Sequence, residues 1–127
     1  MVSLINQKVN RGAGLEIEYA NVKLKKYFND YGLMQKTIPL DWVKKIKKMI
    51  QWLKAADNFG VFLKLGLGKP EPLKGYGEKV VYSLHISANT RFVFQLNADI
   101  DTVLICSGIV VKGVCDYHGG KENWYLS

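Results

Sequence analysis

Apolar residues recur with two different periods along this chain. In LDWVKKIKKMIQWLKAA (40–56), Trp42, Val43, Ile46, Met49, Ile50 and Leu53 return at helical spacing and form one stripe. Lys44, Lys45, Lys47, Lys48 and Lys54 take the other faces. Pro39 suits a first turn, and Gly60 follows shortly after the end. From residue 80 the period becomes two. VVYSLHI (80–86) sets Val80, Tyr82, Leu84 and Ile86 on one face and Val81, Ser83 and His85 on the other. RFVFQL (91–96) groups Phe92, Phe94 and Leu96, with Arg91, Val93 and Gln95 opposite. SANT (87–90) and NADID (97–101) read as turns, and VLIC (103–106) and IVVKGVC (109–115) as further strands on either side of Ser107-Gly108.

Upstream, LEIEY (15–19) alternates apolar and acidic residues, as a half-buried strand should. Asn21 is placed to cap a short helix, VKLKKYFNDYG, with Gly32 near its end. Between residues 61 and 79 glycines and prolines break every period, so a structured loop is expected there. The weakly patterned residues 1–14 read as a flexible lead-in, and 15–127 as a single domain. The sum is an α+β fold: an N-terminal strand and two helices packed on a mainly antiparallel twisted sheet.

Composition narrows the picture. With 127 residues, 48% of them hydrophobic, the chain can bury one real core and is not a disordered segment. No apolar run is long enough to span a bilayer, and the first residues lack a signal-peptide pattern. Cys106 and Cys115 sit inside apolar runs, away from any CxxC spacing. They read as buried hydrophobes in a reducing cytoplasm, ahead of a disulfide or metal role. A net charge of +7 favours a polyanionic partner: RNA, DNA, an acidic protein or an anionic membrane surface. A solvated lysine face is the plainer explanation of part of it.

Candidate chemistry gathers at the end of the last strand pattern. In VCDYHGG (114–120), Asp116, Tyr117 and His118 can each give or take a proton. On a regular strand Asp116 and His118 share a face and Tyr117 takes the other; a twist at Gly119-Gly120 would bring all three to one rim. A polar strand end is the plainer reading. Against it stand His118, whose side-chain type titrates nearest neutrality, Arg91, whose fork suits a phosphate, and Lys74 in the loop LKGYG. Cations beside an imidazole, a phenol and a carboxylate suit phosphodiester transfer by an RNA 2′-hydroxyl. Two histidines and scattered carboxylates give no metal-ligand spacing, and no cofactor is expected. His85 reads first as structural or solvent-facing, Glu71 as a loop carboxylate near Lys69 and Lys74, and Trp124-Tyr125 as a hydrophobic clasp ahead of a stacking surface.

Over roughly Leu15 to Gly119 the chain resembles the HigB-type toxins of the RelE/ParE superfamily. The resemblance lies in KLKKYF (23–28), MIQWLKAADN (49–58), EPLKG (71–75), YSLHISANTRFVF (82–94) and VCDYH (114–118), in that order. It implies a RelE-like, microbial RNase-like fold and a cytoplasmic mRNA interferase, the toxin of a type II toxin–antitoxin system. Such toxins cut mRNA in the ribosomal decoding site without a metal and stop translation and growth. Expected partners are the ribosome, mRNA and a HigA-like helix-turn-helix antitoxin; operator DNA is reached only through that antitoxin, and no membrane is involved. Lys74 and Arg91 would hold the scissile phosphate. His118 would transfer protons, Tyr117 stack or position, and Asp116 orient. Lys69 joins Lys74, Arg91 and Tyr117 as an expected RNA contact. Glu71 stands where some members carry a catalytic histidine, and Thr90 where a tryptophan often stands. DTVLICSG (101–108) reads as extra length that extends a hairpin or adds a strand, and KENWYLS (121–127) exceeds the family outline. The alternatives are a non-RNase binding toxin, like the gyrase-directed ParE branch, and a degenerate member that only binds its antitoxin.

Overall fold

The computed structural model describes residues 14–118 and 121–127, His118 by its backbone alone. The expected lead-in falls outside them except for Gly14, and so do Gly119 and Gly120. The order of elements is β1 (Glu16–Tyr19), α1 (Val22–Phe28), α2 (Tyr31–Met34), α3 (Leu40–Ala55), α4 (Phe59–Leu65), β2 (Glu71–Leu73), β3 (Val81–His85), β4 (Thr90–Leu96), a 3-10 turn (Val103–Ile105), β5 (Gly108–His118) and β6 (Lys121–Leu126). The α+β class is as expected. The element list is longer than the sequence pattern implied.

Short helices need local help, because nucleation is costly. Three of the four helices have an Asx cap: Leu24 N–H donates to Asn21 (2.9 Å), Leu33 N–H to Asp30 (3.1 Å) and Val61 N–H to Asn58 (2.9 Å). Asp30 therefore divides the expected single helix VKLKKYFNDYG into α1 and α2, with Gly32 inside the second. Asn58 starts α4 where a loop was expected, and Gly60 lies within that helix. The long helix α3 follows Pro39 and buries Val43, Ile46, Met49, Ile50 and Leu53, the predicted stripe.

The sheet runs β1-β5-β4-β3-β2, with β6 also paired to β5. β1 joins β5 in parallel at Glu16–Gly108 through Tyr19–Val111; the other pairings are antiparallel. Since β5 is 11 residues long, its first part takes β1 and its last part, from Val114, takes β6. One sequence expectation is overturned here, and one segment left without an element gains one. VLIC is not a strand: Val103–Ile105 form the 3-10 turn, with Leu104 and Ile105 exposed. The tail KENWYL is a strand, and within it Tyr125 packs on Trp42 at 5.1 Å as a clasp, while Trp124 stands opposite Cys115. A register shift sets in at Val93/Phe94, and Gly113 lies beside it with φ +144. A Cβ at Gly113 would collide with the Leu126 carbonyl oxygen, so glycine lets β6 come close.

All four helices contribute to the core on one sheet face. Phe59 is at its centre, ringed by Phe62, Tyr82 and Phe94 at 4.8–5.9 Å. Each such side chain contributes roughly 1.5–3 kcal/mol by leaving water. No helix among the described residues is long and apolar enough to cross a membrane.

Candidate functional site

Strand alternation decides what the opposite face of the sheet displays. There Val81, Val93 and Cys115 form a small buried cluster of their own, with Leu73, Tyr76 and Tyr117 packed against it. No helix residue belongs to this cluster. On the same face, cross-strand register sets His85 opposite Arg91, Arg91 opposite Cys115 and Cys115 opposite Trp124. A single row therefore crosses four strands, with neighbours roughly 5 Å apart.

Arg91 is built into this row. Its Nη1 donates to the carbonyls of Ser87 (3.0 Å), Ala88 (3.1 Å) and Thr90 (3.2 Å), so the guanidinium braces the β3–β4 turn. Its Nε is buried without a protein partner, and so is Ser83 Oγ. Among the described residues these are the two buried side-chain polar atoms left unpaired, and both belong to the open face. A buried donor without a partner costs about 1–3 kcal/mol, and such atoms call for an explanation, a functional role among them.

Beside them lies a carboxylate–imidazole pair. Glu71 is opposite Ser83 in register, and its Oε1 is 3.4 Å from His85 Nε2. The Glu71 side chain is 55% exposed and that of His85 28%, so both are accessible to a ligand. On the other flank, the Tyr76 hydroxyl donates to Glu122 Oε2 at 2.8 Å. Burial first, then this bond and the Glu122 charge, hold the phenol proton of Tyr76 well above its ordinary range. The Cys115 thiol is pushed up to about 11 by burial and then by Glu122, with Arg91 opposing. A thiol held there is protonated at neutral pH and is no nucleophile.

The residues singled out by sequence fall into separate groups. Glu71 and Arg91 share the open face on either side of β3, with His85 touching the first and facing the second. Tyr117 is on that face too, and its N–H donates to Asn89 O at 2.7 Å, tying the end of β5 to the same turn. Asp116, opposite Thr90 and Asn123, takes the other face of β5, as alternation requires. The rim expected from a twist at Gly119-Gly120, and the His118 side chain, lie outside the described residues. Lys74 is exposed after the far end of β2 and lines a cleft of about 580 Å³ with Asp99 and Ile100. Its neighbour Leu73 is opposite Val81, and Val81 opposite Gln95, four residues along β4 from Arg91. At strand rise that is roughly 13 Å. Lys69, with φ +53, instead lines a cleft that His85 also lines.

His85 and Ser83 are the residues that sequence reading undervalued. The signal was present: a hairpin turn centred on Ala88 sets residue 85 opposite residue 91. Tyr76 and Glu122 had no such signal, since 46 residues separate them. Cys106 and Cys115 are free and buried, as expected. Among the described residues no three His, Cys, Asp or Glu side chains gather into a group that could hold a metal. No family profile, curated protein or solved structure matches the chain.

Proposed function

We propose that this chain is the toxin of a type II toxin–antitoxin pair, a HigB-type member of the RelE/ParE superfamily that cuts ribosome-bound mRNA. The observation that carries the reading is the placement of the Glu71–His85 pair beside Arg91 on an open sheet face, with Ser83 Oγ and Arg91 Nε unpaired there. Arg91 is one the resemblance assigns to the phosphate, and Glu71 stands where some members of that family carry a catalytic histidine. The net charge of +7 supports a polyanionic substrate. In this reading the protein acts in the cytoplasm and is held inactive by a HigA-like helix-turn-helix antitoxin.

The reaction needs a base, a cation and an acid. Glu71, oriented by His85, takes the 2′-hydroxyl proton; His118 at the end of β5 is the competing base by its sequence motif. The 2′-oxygen bonds to the adjacent phosphorus, and the bond from phosphorus to the 5′-oxygen breaks. That oxygen leaves with a proton from a protonated imidazole, His118 where Glu71 is the base and His85 where His118 is, giving a 2′,3′-cyclic phosphate and a 5′-hydroxyl. Arg91 neutralises charge on the crowded phosphorus, and Tyr117 offers a ring to a base. Lys69 supplies a second cation near His85, and Lys74 meets a flanking phosphate.

The test is induction in growing cells with primer extension across abundant messages. New ends inside translated codons are expected, and a Glu71→Gln/His85→Gln/His118→Gln triple variant should remove them. Growth arrest with intact messages sinks the endonuclease reading. One observation favours a binding toxin as second reading: Arg91 Nη1 is already committed to three carbonyls. Arrest with intact mRNA and blocked DNA supercoiling would establish that alternative.

A further inference from the structure

A cleft of about 600 Å³ opens beside His85, between α3, residues 66–69 and the β3–β4 turn. Lys45, Lys48 and Trp52 enter it from α3, at spacings that put them on one helix side, and Lys69 faces them. No carboxylate lines it. The ion pair among the described residues is that of Glu71 with His85, so these lysines have no acidic partner there. Lys45 Nζ donates to Ile86 O at 2.9 Å and pins α3 to the end of β3. Lys48 and Lys69 are exposed. Lys69 has φ +53, a left-handed conformation unusual for lysine, and such backbone strain collects at binding sites. Trp52 is half-buried: part of its ring packs on the core and part forms the cleft wall.

We infer that this cleft holds a nucleotide of a single RNA strand flanking the reacting phosphate, with Trp52 stacking on the base and Lys48 and Lys69 on the phosphates. The inference rests on the RNA reading above. His85 lines the cleft and also contacts Glu71, so a strand leaving the reacting phosphate passes from one to the other. A peptide strand is a poorer occupant, because the backbone along the rim is already used. His85 N–H donates to Gly68 O (2.8 Å), and Ile86 and Ser87 N–H donate to Thr90 O (2.8 and 3.2 Å). Ile86 O accepts from Lys45. That leaves little edge for strand addition. What remains is cations around a flat aromatic wall, the combination that binds single strands.

The experiment is fluorescence anisotropy with a short labelled 2′-deoxy oligonucleotide, which cannot be cleaved by 2′-hydroxyl attack, across a salt series. Trp52→Leu should weaken binding roughly tenfold, while Trp52→Phe keeps a stacking face and most of the affinity. Lys48→Gln with Lys69→Gln should flatten the log–log salt slope by about 1.4, at about 0.7 per phosphate contact. Lys25→Gln, on α1, should change neither, and thermal melts verify that each variant folds. Unchanged affinity in the cleft variants overturns the inference, as does absence of oligonucleotide binding by the wild-type chain. Binding of an acidic aromatic peptide in place of the oligonucleotide also overturns it. Cleavage in the induction experiment is scored separately. Cleft-dependent RNA binding without cleavage leaves the inference standing and removes the enzyme; cleavage with a dispensable cleft does the reverse.

Discussion

At the scale of single residues, Arg91 braces a turn, and a variant can separate that from the phosphate contact proposed for it. Three hydrogen bonds from Nη1 hold the 87–90 turn, and that turn aligns His85 with Arg91 itself. Arg91→Ala should lose about 2–3 kcal/mol in urea unfolding, because charge-assisted bonds vanish and three carbonyls lose their donor. Arg91→Lys should recover only part of it, since an ammonium cannot reproduce the planar fork. If either variant keeps full stability yet loses activity, the turn-bracing role is wrong. Cys115 makes a second prediction. Its folded-state value of about 11 lies above the ordinary 9.0, so the native state keeps the thiol proton longer than the unfolded chain. The resulting stabilisation is complete below pH 9 and is lost as pH rises toward 11. Tyr76, Tyr19 and Tyr31 are also raised above 10.0 and add the same sign at higher pH. Urea midpoints should therefore fall across that alkaline window, and Cys115→Val should shrink the fall.

At the scale of elements, the least expected part of the fold is α4 with its 3-10 turn. Phe59 N–H donates to Cys106 O at 2.8 Å, and a Cβ on Gly60 would lie 2.5 Å from the Leu104 carbonyl oxygen. The turn thus sits on α4 because residue 60 has no side chain. Gly60→Ala should destabilise by roughly 1–3 kcal/mol, as overpacking does, despite the better helix propensity of alanine. A neutral or stabilising result would mean that the 103–106 segment yields freely. This element was poorly legible. FGVFLKL is a short helix with an internal glycine, followed by Gly66 and Gly68, so its local pattern resembled a loop. Its stability comes from Phe59 and Phe62 inserted in the core, a term local periodicity does not contain. By contrast α3, β3 and β4 were legible nearly to the residue, since each repeats its period over several turns or pleats.

At the scale of the whole molecule, the helix-covered face of the sheet and the open face divide the work. One holds the main core; the other carries the row His85–Arg91–Cys115–Trp124 and the Glu71 carboxylate. If that face is catalytic, Glu71→Gln should lower mRNA cleavage at least tenfold with urea stability within about 0.5 kcal/mol, as expected for an exposed side chain. His85→Gln should lower it less if the imidazole only orients the carboxylate. Equal loss in both would make the pair one proton-handling unit, and no loss in either would leave His118 as the base.

The sequence by itself determined the α+β class, the apolar stripe of α3, the β3–β4 hairpin with its two faces, and the charge that points to a polyanion. These are local or compositional properties, written in periods of two and 3.6 and in the count of lysines. Tertiary structure alone decided that β1 runs parallel to β5, that VLIC bends into a turn and that the tail becomes β6. It also decided that Glu71 meets His85 while Lys74 stays at the other end of the strands. Pairing of distant strands and the direction of a loop depend on contacts far apart in sequence, and no local pattern encodes those. Residues at either end of one strand look adjacent in sequence but lie far apart in space, whereas Tyr76 and Glu122 are distant in sequence and share a hydrogen bond.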